Sequence, residues 1–117
     1  MRYGALLCVL IAAGPVAAAD WALRSGDMAL RGAALEARIA DRTLEFYDGG
    51  RAVYGPGSDY AYIYADGRPV PGRYDIGPDG AVCVAFDNGW SRCDIYVMNG
   101  ARLYLMTEEG DRFPVRD

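Results

Sequence analysis

The chain has 117 residues, of which 52% are hydrophobic, with a formal net charge of −4, no lysine and no histidine. A chain of this length supports one hydrophobic core and is too short for two domains. The negative charge argues against nucleic acid as a partner, and the lack of histidine excludes Ser-His and Cys-His nucleophiles and the commonest transition-metal ligand.

Residues 1–19 have the pattern of a signal peptide. Arg2 supplies a positive charge, residues 6–13 form an apolar run, and three alanines at 17–19 precede a cleavage point before Asp20. The apolar run is shorter than the ~20 residues that span a bilayer, so an uncleaved anchor is the less favoured alternative. We therefore expect a signal peptide at residues 1–19, a single small domain at residues 20–117, a periplasmic or secreted location and no membrane span after cleavage.

A short helix is predicted at about residues 32–40. Leu35 and Ile39 are spaced as neighbours on one helix face, and alanines surround them. A helix of two or three turns is marginal alone, so we expect it to lie against a sheet. The apolar residues before it either pack ahead of the helix or form an edge segment, and their periodicity does not decide between the two: Trp21, Leu23, Met28 and Leu30.

After Thr43, turn dipeptides separate short segments rich in Tyr, Val, Ile and Phe, which is typical of a β-meander. The dipeptides are Asp48-Gly49, Asp66-Gly67, Asp79-Gly80, Asn88-Gly89, Asn99-Gly100 and Glu109-Gly110. They predict strands at residues 43–47, 52–54, 59–65, 72–76, 81–86, 93–98, 102–107 and 112–115. The fold class is mainly β (α+β), with a short N-terminal helix packed on an antiparallel meander that forms a curved sheet or a small open barrel.

Cys83 and Cys93 are placed symmetrically about Asn88. A three-residue loop at 87–89 would set the two cysteines opposite each other on adjacent strands, and an exported protein would oxidise them. Closing a loop of this length contributes roughly 3 kcal/mol through the unfolded state. We therefore predict a structural disulfide, which leaves no thiolate in the mature chain to act as a nucleophile or a metal ligand.

The same reasoning, applied to the Asn99-Gly100 turn, pairs Tyr96 with Leu103 and Ile95 with Tyr104 on neighbouring strands. Apolar residues then lie on both faces of this hairpin. We expect one face to meet the core and the other to meet the helix or another part of the curled sheet.

A stripe of tyrosines is the leading candidate site. Tyr60, Tyr62 and Tyr64 alternate with small or aliphatic residues, so three phenols share one face of a strand. If Tyr74 and Trp90 converge with them, the five would form a surface that binds a ligand or a partner. The alternative interpretation is that the tyrosines only cover a sheet face that is half in water.

Most acidic residues lie at turns, where their side chains have local roles, and none of them matches a calcium-binding loop. Asp75 and Asp94 differ because they fall within predicted strands, where a carboxylate needs solvent, an arginine or a function. Arg73 and Arg92 are the nearest partners in sequence. No metal site and no cofactor are predicted, and Asp75 and Asp94 are the candidate acids of a carboxylate-pair enzyme.

The segment from Asp66 to Gly110 resembles small exported proteins of unknown function from alphaproteobacteria. The matching residues are Asp66-Gly67, Gly72-Arg73-Tyr74, Asp79-Gly80, Cys83, Cys93-Asp94, Gly100 and Gly110. Those proteins have a Gly-x-Trp element where this chain has Tyr74, and they share a hairpin with two cysteines. The resemblance implies export, a disulfide and a compact β domain, and it carries no catalytic residues to transfer.

Three classes of function follow. The leading hypothesis is a non-catalytic protein that binds an envelope protein or a cell-wall glycan through an aromatic sheet face. An inhibitor of a wall-degrading enzyme is one form of it, by analogy of architecture and compartment alone. The alternatives are a glycan-active enzyme that uses paired carboxylates and a carrier that holds a small ligand inside a barrel.

Overall fold

The computed structural model describes residues 21–116. The expected signal peptide and Asp20 lie outside the described residues. Among the residues described, no helix has the length and apolar composition that crossing a bilayer requires.

The described part of the chain contains one helix and nine strands. In chain order they are β1 (Met28–Ala29), α1 (Gly32–Ile39), β2 (Thr43–Phe46), β3 (Arg51–Tyr54), β4 (Asp59–Ile63), β5 (Pro69–Ile76), β6 (Val82–Phe86), β7 (Ser91–Asn99), β8 (Arg102–Thr107) and β9 (Arg112–Arg116). The predicted helix and all eight predicted strands are therefore confirmed within a few residues at their ends. β1 is additional.

Strands β2 to β9 form an up-and-down antiparallel barrel. Each strand pairs with the next along the chain, and β2 also pairs with β9, with Phe46 opposite Val115. The mainly β meander is thus confirmed, and the pairing of its first and last strands closes the curved sheet. Closure leaves neither of these two strands as a free edge.

The short strand β1 completes one seam of the barrel wall. β6 pairs with β7 only as far as Asp94, whereas β7 continues to Asn99. β1 takes over as the neighbour of β7 at this point, with Ala29 opposite Val97 and Met28 opposite Met98. The sequence left open whether the residues before the helix pack ahead of it or form an edge segment. Met28 and Ala29 form such a segment, because they pair with β7.

Helix α1 closes one end of the barrel. Its two buried residues, Leu35 and Ile39, belong to the same core cluster as the inward-facing Tyr96 and Leu103, and both are fully buried. The alanine-rich sequence favours the helix, and packing of its apolar face supplies the stability that so short a helix lacks alone. The helix therefore packs into the interior of the sheet, as its narrow apolar stripe predicted.

A second cluster covers the outer face of β7 and β8. Ile95, Val97 and Met106 are buried there under Trp21 and other residues that include Ala29 and Tyr104. One apolar face of this hairpin was expected to meet the core, and the other was expected to meet the helix or another part of the curled sheet. That expectation is wrong for the outer face, because the N-terminal segment covers it.

The hairpin registers confirm one prediction and correct another. Cys83 lies opposite Cys93, and the two form the disulfide. Tyr96, however, pairs with Leu105 and not with Leu103, because Asn99 still pairs with Arg102 and the chain reverses one residue later than expected. The shift is of two residues, so the inward and outward faces are unchanged.

Candidate functional site

The barrel end opposite α1 is open and forms a cleft that we call the mouth. Four turns surround it, those that join β2 to β3, β4 to β5, β6 to β7 and β8 to β9. Its volume of about 720 Å³ falls within the range of ligand sites in proteins. Inward-facing strand residues form its floor, so the rigid wall of the barrel fixes their positions.

Tyr60, Tyr62 and Tyr64 line one side of the mouth. They share a face of β4 as predicted, but that face is the inside of the barrel and not an outer surface. Tyr60 is deepest, with its ring 5.1 Å from that of Tyr54 and 6.0 Å from that of Phe86. Burial raises the pKa of Tyr60 well above its usual value. Tyr64 lies at the rim and is exposed, 5.2 Å from the ring of Tyr62.

Trp90 stands at the rim, on the neighbouring turn between β6 and β7, and is 74% exposed. Its backbone N–H donates to Oδ1 of Asn88 at 3.0 Å, which fixes the turn that carries the indole. Tyr74, by contrast, lies outside the mouth, where its ring packs 4.9 Å from that of Tyr54. The structure therefore brings together four of the five predicted aromatic residues.

A half-buried ion pair forms part of the floor. Arg92 Nε donates to Asp94 Oδ2 and another guanidinium nitrogen donates to Oδ1, each at 3.0 Å. The Asp94 side chain is only 9% exposed, whereas the Arg92 side chain is 46% exposed. The sequence proposed this pairing, and β7 makes it possible because residues two apart on a strand lie on one face.

The pKa of Asp94 is raised above its usual value, and burial is the main cause. The Arg92 hydrogen bond opposes this shift, while the charges of Glu108 and Glu109 add to it. The two glutamates therefore place negative charge close enough to the floor of the mouth to act on Asp94.

Glu108, Glu109 and Asp111, which we call the acidic rim, lie on the turn between β8 and β9. Their side chains are exposed, and none of them forms an ion pair with any residue in the range 21–116. Sequence reasoning assigned these acids to turn chemistry and missed their place at the mouth. The signal that could have found them is the concentration of three carboxylates in one turn.

The proposed carboxylate pair of Asp75 and Asp94 is wrong as a catalytic pair. Asp75 lies opposite Cys83 on the outer face and is exposed, whereas Asp94 lies opposite Val82 on the inner face. Two carboxylates on opposite faces of a sheet cannot act on one substrate bond. Arg73 also differs from expectation, because it pairs with Asp59 at 3.2 Å on the surface.

No group of three or more potential ligands suited to a metal ion is found within the described part of the chain. Comparison of the sequence and structure with protein-family models, curated proteins and solved structures found no match. The mouth can bind by two means, the stacking of a ligand on exposed aromatic rings and the attraction of its charge to carboxylates.

Proposed function

We propose that the protein is a non-catalytic binding protein of the periplasm or extracellular space, and that its ligand, an envelope protein or cell-wall glycan, binds at the mouth. The observation that carries this proposal is the exposed Trp90 beside an aromatic-lined cleft in a closed barrel. Exposed large aromatic side chains grouped at a concave surface are typical of binding sites. Their rigid support limits the conformational entropy lost on binding.

The disulfide and the expected signal peptide both support this compartment. The Cys83–Cys93 bond fits a protein outside the cytoplasm, since the reducing conditions inside the cytoplasm keep thiols free. The finer assignment to the periplasm or the medium rests on the signal pattern of residues 1–19 and on the resemblance to small exported proteins.

The side chains of the mouth favour binding over catalysis. Among the described residues that line the cleft, Asp94 is the only deeply buried acid, and Arg92 donates hydrogen bonds to both of its carboxylate oxygens. Such a carboxylate is poorly placed to give or take a proton. Below the mouth, Tyr96, Leu35 and their neighbours fill the barrel, so the interior offers little support for a carrier that encloses its ligand.

Affinity capture with matched variants tests the proposal. Oxidised protein that begins at Asp20 is immobilised, envelope extract from the native cell is passed over it, and retained material is identified by mass spectrometry. The test variant is Trp90→Ala combined with Tyr64→Ala, which removes two exposed rings and little core packing. The more deeply packed Tyr60 is avoided because its truncation would disturb Tyr54 and Phe86.

The control is Tyr47→Ala, which removes an exposed tyrosine that does not line the mouth. We expect wild type and the Tyr47→Ala variant to retain the same protein or glycan, and the Trp90→Ala/Tyr64→Ala variant to lose it. Equal retention by all three would contradict binding at the mouth.

A further inference from the structure

We propose that the mouth receives a cationic side chain, arginine or lysine, carried on the surface of a basic partner protein. The inference rests on the proposed function, because it names the chemical group that the mouth recognises. It combines the shape of the cleft, the exposed rings at its rim and the sign of the charges around it.

The aromatic residues offer a platform for a cation. A guanidinium or ammonium group binds the face of an aromatic ring, and tryptophan is the best of the side chains for this contact. The protein already makes such a contact at the mouth, where the Arg68 guanidinium carbon lies 4.3 Å from the centre of the Tyr64 ring. Trp90 is more exposed than Tyr64, and no cation within residues 21–116 lies over its ring, so the ring can accept the cationic group of a partner.

The charges select the same kind of group. The acidic rim supplies three carboxylates, and Asp48 adds a fourth on the neighbouring turn between β2 and β3. Arg92 is matched with Asp94, which leaves Arg68 as the one other cation among the residues that line the mouth. Three acids outside the mouth each form an ion pair with an arginine in the described part of the chain, namely Asp27, Asp59 and Asp66, whereas the acids of the rim form none. The mouth therefore has an excess of negative charge that a basic partner would neutralise.

The same charges argue against the other occupants. Wall and envelope polymers that carry carboxylates or phosphates would be repelled by the rim. A neutral glycan could stack on Trp90 and donate hydroxyl hydrogen bonds to the carboxylates, but it would not neutralise their charge. A basic protein gains from both features, and long-range attraction would also speed its association.

A peptide titration followed by NMR tests the inference on the oxidised mature protein. The probe is acetyl-Gly-Arg-Gly-Arg-Gly-amide, and its matched control replaces both arginines with citrulline, which keeps the shape and removes the charge. Chitotriose serves as a neutral glycan and spermidine as a small organic cation. Shifts of the Trp90 indole N–H and of the Glu108, Glu109 and Asp111 amides are recorded in ~20 mM salt, where the Debye length is about 20 Å.

We expect the arginine peptide to shift these signals and the citrulline peptide not to do so. The Glu108→Gln/Glu109→Gln variant should bind the arginine peptide about tenfold more weakly, because two exposed ion pairs with the peptide are lost. The control variant Glu36→Gln/Glu45→Gln removes the same charge from α1 and the outer face of β2, and it should bind as wild type does.

The other outcomes separate the two proposals. If chitotriose shifted the signals of the mouth and the arginine peptide did not, the proposal of a cationic group would be wrong, while the mouth would remain the binding site. If spermidine bound as tightly as the arginine peptide, the proposal that the cationic group is a side chain of a partner protein would be wrong. If no probe shifted the mouth signals and affinity capture were also unaffected by the Trp90→Ala/Tyr64→Ala variant, both proposals would be wrong.

Discussion

Asp27 and Arg112 form a doubly hydrogen-bonded ion pair between the N-terminal segment and the last strand of the barrel, 85 residues apart in sequence. The two contacts are 2.8 and 3.0 Å long, and the side chains are 0% and 9% exposed respectively. Asp27 also accepts hydrogen bonds from the Asn99 amide and the Arg24 backbone. The pair therefore anchors the segment that covers β7 and β8.

Asp27→Ala should destabilise the protein by about 3 kcal/mol, because it leaves the Arg112 charge buried without its partner. Urea unfolding followed by circular dichroism measures the loss. Asp59→Ala is the control, since it breaks an ion pair whose two side chains are about two-thirds exposed, and it should cost less than ~1 kcal/mol. Equal losses in the two variants would contradict the anchoring role.

The same carboxylate predicts how stability depends on pH. The hydrogen bonds from Arg112 hold the pKa of Asp27 far below its usual value. Below about pH 4 the unfolded state takes up a proton at this residue that the folded state does not, so stability falls as the pH decreases toward the folded-state pKa. Asp27→Asn should lower this acid-side slope by up to ~1.4 kcal/mol per pH unit, as measured by urea unfolding at several pH values. Parallel curves for wild type and variant would contradict the assignment.

Tyr54 and Tyr96 share a hydrogen bond of 2.7 Å between their hydroxyls in the core, where both residues are almost fully buried. Tyr96→Phe removes one hydroxyl and leaves the other without this partner, which should cost about 1–2 kcal/mol. Tyr54→Phe/Tyr96→Phe removes both polar groups and should be no less stable than the single variant. Additive losses in a double-mutant cycle would show that the two hydroxyls are not coupled.

Gly80 determines how closely the turn between β5 and β6 approaches the start of α1. Its φ is +93°, and an added Cβ would overlap the carbonyl oxygen of Leu30. Gly67 has nearly the same φ, +91°, but a Cβ there would meet open space. Gly67→Ala should therefore cost ~1 kcal/mol from the backbone alone, and Gly80→Ala ~2–3 kcal/mol because of the added overlap. Similar losses in the two variants would contradict close packing at this barrel end.

The strands were predictable because their signals are local. Turn dipeptides and alternating side chains mark each hairpin, and the cysteine spacing fixes one register. Closure of the barrel was not predictable, because β2 and β9 lie at opposite ends of the meander and only two residue pairs join them. β1 has two residues, too few for a period to be recognised.

The sequence predicted most of the aromatic residues of the candidate site, but it did not predict that they lie inside a barrel. Alternation placed three tyrosines on one face, but only the closed barrel makes that face the inner one. Tyr74 lies on the inner face too, yet away from the mouth, because the order of residues along β5 sets it nearer the end that α1 covers. Glu108 and Glu109 lacked a local pattern that distinguishes a rim carboxylate from an ordinary turn residue.

Photo-crosslinking in the native cell tests the central claim, that the mouth is the binding surface, most directly. p-Benzoylphenylalanine is placed at position 90 on the rim and, as a control, at position 28, where Met28 is 67% exposed on β1 outside the mouth. Our account predicts that irradiation gives a defined adduct from position 90 and none from position 28. An adduct from position 28 with none from position 90 would contradict it.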